Sequence, residues 1–130
     1  MDDELQHPPE RSWGQKFDNA FRGVKLGVRG QSSFFVHFFL ATAVIVVAMV
    51  LEVSLIEWCI LLICISGVLT IEMFNSALES LARAITYEEN PQLGVALDIG
   101  SGAVLIASIG AAVVGCIIFV NRLALLVGWW

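Results

Sequence analysis

Residues 71–98 read IEMFNSALESLARAITYEENPQLGVALD, and this stretch decides the fold. Carboxylates, an amide and a short polar turn interrupt an otherwise apolar chain. Glu72, Asn75 and Glu79 stand at i, i+3 and i+7, a spacing that stacks their side chains along one face of a helix. The residues before them, Trp58 to Ile71, are apolar enough for a bilayer interior, so the stripe begins near a membrane boundary. Acids at that depth cost roughly 2.5–3.5 kcal/mol each at a helix centre, and they usually face protein or a water-filled cavity. A carboxylate stripe at one membrane face, followed by a loop and Asp98, suits Mg²⁺ and a phosphate donor.

Outward from that stretch, the rest of the chain reads as membrane helices. Of 130 residues, 58% are hydrophobic and only 15% are charged, too few charges for a soluble domain of this size. The mean hydropathy is +0.82. Toward the C-terminus, Tyr87 to Gln92 read as a turn around Asn90-Pro91, and Ile99 to Val120 as an apolar span with LALLVGWW after it. Toward the N-terminus, one long helix covers about 55–86, and Glu52 to Glu57 form the turn before it. Phe34 to Leu51 is an eighteen-residue run broken chiefly by His37 and Thr42, long enough to cross a bilayer. Before it, Trp13, Phe17, Ala20, Phe21, Val24 and Val28 share one helical face, with Lys16, Asp18, Arg22, Lys25 and Arg29 around the rest. That pattern fits a helix lying in the membrane surface, or an amphipathic helix packed on protein. Residues 1–12 are polar, close on Pro8 and Pro9, and read as mobile. The expected architecture is an all-α membrane protein: a surface helix over about 13–29 and spans over about 34–51, 55–86 and 98–120, in one membrane domain covering 13–130.

Charge distribution excludes some functions and gives an orientation. A net charge of −5 and the lack of any Lys/Arg run argue against nucleic acid as a partner. The three cysteines, Cys59, Cys64 and Cys116, lie in apolar runs without CxxC spacing and read as buried thiols. His7 and His37 are too isolated to suggest a metal site, and the acidic opening MDDELQHPPE is no cleavable signal peptide. Arg11, Lys16, Arg22, Lys25 and Arg29 precede the first span, and Arg83 precedes the second turn. The positive-inside rule then puts the N-terminus and the second turn in the cytoplasm. Ala103, Ala107, Ala111 and Gly115 recur every four residues, which admits a close helix neighbour from another subunit or from the same chain. Three spans enclose little by themselves, so a homo-oligomer with sites shared between subunits is expected.

These residues resemble the small prokaryotic integral-membrane lipid kinases, the diacylglycerol kinase and undecaprenol kinase family. Glu72-x-x-Asn75-Ser76-Ala77-Leu78-Glu79 is close to that family's E-x-x-N-[ST]-A-[IL]-E. Asp98 to Leu105, DIGSGAVL, is similar to the segment after its K-D pair, Ala20-Phe21-x-Gly23 to its surface-helix pattern, and His37 to a histidine common in the undecaprenol kinase branch. The resemblance covers roughly Phe17 to Val120. It implies a homotrimer of three-span subunits in the inner membrane that transfers the γ-phosphate of ATP, with Mg²⁺, to a membrane lipid hydroxyl. Glu72 would be the general base, Glu79 a metal ligand, Asn75 a positioning amide and Asp98 a nucleotide contact. Gln31 stands where the family has a second acidic metal ligand.

The sequence also departs from the family. Its K-x-x-K-D reads Gly94-x-x-Leu97-Asp98, without either lysine. Gln31 carries no charge, Arg83 replaces an aspartate, and Asn90 replaces a histidine. Phosphoryl transfer needs cations as well as metal, so two functional classes are open: a lipid kinase in which Arg83 supplies the missing positive charge at the nucleotide, or a relative that binds lipid or nucleotide without turnover. The residues also have structural readings: Glu79 precedes Arg83 by four, the favourable order for an ion pair, and Asp98 suits the start of the third span as a cap.

Overall fold

A computed structural model describes residues 12–29 and 32–129 as four helices: α1 (Trp13–Arg29), α2 (Ser32–Val50), α3 (Leu55–Ile85) and α4 (Pro91–Val127). The polar N-terminal stretch through Arg11, and Gln31, lie outside the described residues. α2, α3 and α4 are each long and apolar enough to cross a membrane. Among them α3 and α4 form the most extensive pair; α2 packs on α3 and touches α4, and α1 lies against α3.

Each helix end has a chemical cause. Ser12 caps α1 through a hydrogen bond from the Gln15 amide, and the Gln15 side chain returns one from the Ser12 amide. α2 ends at Glu52, whose φ of 47° is left-handed, while the Val53 amide donates back to the Ala48 carbonyl at 3.2 Å. Ser54 then opens α3 with a reciprocal capping box: its hydroxyl accepts from the Glu57 amide and its own amide donates to Glu57 Oε2 at 2.7 Å. α3 ends at Thr86, whose hydroxyl accepts from the Glu88 amide. Asn90 caps α4, its Oδ1 accepting from Gln92 and Leu93, with Pro91 in the first turn.

That cap moves the third span. The helix expected from about residue 98 starts at Pro91, and the turn closes before Gln92. Asp98 therefore sits in the third turn of α4 and does not cap it. Gln92, Gly94 and Asp98 lower the hydropathy of this stretch without breaking the helix, because Asn90 satisfies its first amides. At the far end α4 runs to Val127 and stops at Gly128, whose φ of 77° only glycine adopts freely.

The buried core is small: Ala48 and Val53 meet Leu61 and Ile118, with Val44, Leu51, Trp58, Val114 and Phe119 packed around them. Most large apolar side chains, such as Phe38, Phe39, Ile63, Ile106 and Ile117, point outward. This exterior suits lipid, not water. Of the small-residue stripe, Gly115 is buried inside the chain, Ala107 and Ala111 are half-buried, and Ala103 is exposed. One end of the stripe thus serves the chain's own packing. Arg122 reaches across to Glu57, Nη2 to Oε2 at 2.5 Å and Nε to Oε2 at 2.7 Å, and ties the α3 start to the α4 end.

α2 begins level with the acidic stripe, since Ser33 touches Glu72. From there α3 continues to Ile85, a rise of about 20 Å, with α4 alongside. α3 and α4 thus project past the start of α2 at this end.

Candidate functional site

The stripe faces inward as its spacing requires. Glu72 is 2% exposed and Asn75 7%, and Ser76 between them and the next turn is buried as well. A carboxylate is costly to bury unless its oxygens are engaged. Here Ser33 donates its hydroxyl to Glu72 Oε1, and His37 Nε2 lies 3.7 Å from Glu72 Oε2. Ser33 and His37 are four apart on α2, so one face of that helix presents both to α3. Ser76 donates to the Glu72 carbonyl at 3.0 Å, a bond within α3 that hides its own hydroxyl.

One turn further along, Asn75 Nδ2 donates to Glu79 Oε1 at 3.1 Å. Asn75 Oδ1 is buried with no hydrogen-bond partner. It faces Gly100 of α4, where a Cβ would sit 2.5 Å from Oδ1 and 3.2 Å from a Leu78 methyl. Glycine at position 100 therefore lets the α4 backbone close over Asn75.

Beyond Asn75 the α3–α4 pair opens into a cavity of about 740 Å³ under the Thr86–Asn90 turn. Glu79 and Arg83 line it from α3, Glu88 and Glu89 from the turn, and Gly94 and Leu97 from α4. Every position at which the α3–α4 sequence departs from the kinase pattern, namely Arg83, Asn90, Gly94 and Leu97, borders this one space. Asp98 is exposed beside Leu97 and is not among the cavity's lining residues.

Glu72, Asn75, Glu79 and Arg83 thus form one continuous run, with Asp98 on its flank and Gln31 outside the described residues. Among the described residues no three His, Cys, Asp or Glu side chains converge as a ready-made metal cluster. His37 and Ser33 are the site residues that spacing missed. Their signal was present, since Ser33 and His37 are the polar residues at i and i+4 near the start of an apolar span, where a polar face needs a partner.

Residues 18–119 match the sequence profile of a family described as prokaryotic diacylglycerol kinase. An undecaprenol kinase of Bacillus subtilis (strain 168) is 31% identical over 109 residues, 84% of this chain and 89% of the relative. A diacylglycerol kinase of Synechocystis sp. is 34% identical over 113 residues, 85% of this chain and 65% of the relative. A diacylglycerol kinase of Escherichia coli (strain K12) is 38% identical over 74 residues, 57% of this chain and 61% of the relative.

Proposed function

Because this chain belongs to the prokaryotic diacylglycerol kinase family, we propose that it is an ATP-dependent lipid kinase of the inner membrane, transferring the γ-phosphate to the hydroxyl of diacylglycerol or undecaprenol. The observation that carries this reading is the buried Glu72 carboxylate, which faces Ser33 and His37 two helical turns before Glu79, a residue that lines the cavity. Burying an acid there costs stability, which the Ser33 hydroxyl offsets in part, and buried acids at such depth mark sites of chemistry or binding.

In this reading Glu72 accepts the acceptor's proton as the lipid oxygen bonds to the γ-phosphorus and the bond from that phosphorus to the ADP oxygen breaks. A base in contact with the hydroxyl accelerates such a step by about 10²–10⁴. Asn75 holds Glu79 in place. Arg83 and Asp98 contact the nucleotide, Arg83 with a planar fork of donors suited to phosphate oxygens. Glu79, Glu88 and Glu89 line the cavity without converging as a cluster, and Mg²⁺ needs only one or two carboxylates together with phosphate oxygens, which Glu79 fits. Glu79 and Gln31 would hold it, and when bound it supplies charge neutralisation at the phosphates. The N-terminus and the Thr86–Asn90 turn face the cytoplasm, where ATP is, α1 lies in the membrane surface, and three chains share their sites.

A second reading has its own support. Gly94 and Leu97 line the cavity where the family pattern has lysines, which favours a relative that binds lipid or nucleotide without turnover. The test is purified protein in lipid with labelled ATP, Mg²⁺ and each acceptor. Transfer to lipid supports the kinase. An inactive parent that gains transfer when Gln31→Glu, Arg83→Asp, Gly94→Lys and Leu97→Lys are combined establishes the second reading.

A further inference from the structure

No residue of α1 is buried. Trp13, Phe17, Phe21 and Val24 share one helical face and are between 47% and 75% exposed. The helix is nonetheless anchored at its C-terminal end. A Cβ on Gly27 would stand 3.4 Å from the Met73 methyl of α3, and Met73 follows Glu72 in the chain. Ser33 meets Glu72 at the same level, where the apolar run of α2 begins. α1 therefore ends at the height at which the chain enters lipid, with an aromatic face that no part of the described chain covers. Aromatic side chains bared at that height fit the boundary between headgroups and acyl chains.

Charge on α1 runs against the rest of the molecule. The net charge of the chain is −5, yet α1 carries Lys16, Arg22, Lys25 and Arg29 against a single acid, Asp18. Lys16 is engaged locally, its Nζ 4.6 Å from the centroid of the Trp13 ring. Arg22, Lys25 and Arg29 stand about half a turn around the helix from Gly27, so they point away from α3, and all three are exposed. Among the described residues none of the three has an ion-pair partner. A row of unneutralised cations beside a bare aromatic face complements a surface that is both apolar and negatively charged. A neutral bilayer matches only the aromatic face, and an acidic soluble protein only the cations.

We infer that α1 is a docking surface for anionic phospholipid: Trp13, Phe17, Phe21 and Val24 enter the acyl boundary, and Arg22, Lys25 and Arg29 hold phosphodiester headgroups. The inference rests on the placement of α1 in the membrane surface and needs no step of the kinase chemistry. Each Lys or Arg near an anionic surface favours it by roughly fivefold. Arginine adds a planar fork that takes two phosphate oxygens at once. Because α1 ends against Met73, the lipid it gathers lies beside the polar stripe, and negative headgroups are enriched around the Glu72 end of the chain.

The test is photolabelling of the full chain in vesicles of phosphatidylcholine and phosphatidylglycerol in equal parts. Each vesicle carries a trace of one lipid or the other with a diazirine near its glycerol backbone. Adducts of the phosphatidylglycerol probe on α1 should exceed those of the phosphatidylcholine probe by about fivefold or more at low ionic strength. The excess should vanish in molar salt, where exposed charges are screened beyond about 3 Å. Arg22→Gln, Lys25→Gln and Arg29→Gln combined should erase the excess and leave the phosphatidylcholine adducts on α1 as they were. Arg22→Lys with Arg29→Lys, which keeps the charge, should retain most of it, so a loss of charge is told apart from a loss of helix. Equal labelling by the two probes in the parent overturns the inference and leaves α1 in the membrane surface. An excess that survives the triple substitution or molar salt overturns it as well. If neither probe labels α1, or if α1 crosslinks to a second copy instead, the surface placement falls and the inference with it.

Discussion

The two ends of the α3–α4 hairpin use charge in opposite ways. At the Leu51–Ser54 end, Glu57 serves at once as the capping-box acid for Ser54 and the partner of Arg122. Its charge is matched, and its Oε2 takes the contacts from both Ser54 and Arg122. At the Thr86–Asn90 end the same helix carries Glu72, Asn75 and Glu79, and there the matching is incomplete: one amide oxygen has no partner, and a carboxylate meets His37 only across 3.7 Å. Where α2 turns into α3, the charged groups are engaged within the chain. Along the stripe toward the α3–α4 turn, hydrogen-bonding capacity is left over.

The sharpest way to break that contrast is Glu72→Gln. In reconstituted protein it should lower lipid phosphorylation by about 10²–10⁴ while nucleotide affinity stays close to the parent's. Near-parental turnover would make the polar end as structural as the other.

Arg122→Met attacks the closed end. Losing hydrogen bonds to a charged group should cost about 1.5–3 kcal/mol in a denaturant titration in mixed micelles, with turnover per folded molecule unchanged. A kinetic defect in folded protein would mean that the two ends are coupled.

Gly100→Ala sharpens the description of the open end. The new methyl meets Asn75 Oδ1, so stability should fall by about 1–3 kcal/mol and the Asn75–Glu79 bond should loosen. Asn75→Ala added to it should recover part of the stability, a coupling that a double-mutant cycle measures. Additive losses would show that the two residues do not press on each other.

The smallest effect belongs to Arg83→Ala. If Arg83 replaces the lysine missing at position 97, the KM for ATP should rise about tenfold, near 1.4 kcal/mol, and Leu97→Lys should restore part of it. If Arg83 only complements Glu79 along the helix, stability changes by about 0.2–0.5 kcal/mol and the KM holds.

Much of this was legible from spacing. Three apolar runs gave three long helices, and the i, i+3, i+7 stripe faces the interior. What was hidden depends on pairs far apart in the chain. Glu57 and Arg122 are 65 residues apart, and the turn expected over Glu52 to Glu57 showed neither the capping box nor the arginine. His37 looked isolated because its partner stands on another helix, at Glu72. Gly100 read as part of a family-like segment, and only the packing shows that its missing side chain makes room for Asn75. The start of α4 was misplaced because hydropathy reports where a helix is greasy, whereas Asn90 and Pro91 determine where it begins.

The projection of α3 and α4 beyond α2 has a mechanical consequence. α2, with 19 residues, rises about 28 Å and just matches a hydrocarbon layer of about 30 Å. In a thicker bilayer the longer pair has apolar and polar length in reserve, and α2 does not. Mismatch costs fractions of a kcal/mol per Å and is relieved by tilting or by local thinning of the lipid, so the strain falls on α2. That helix carries Ser33 and His37. A change of bilayer thickness is therefore expected to be felt first at the two α2 groups that face the Glu72 carboxylate, through a helix whose length leaves no slack.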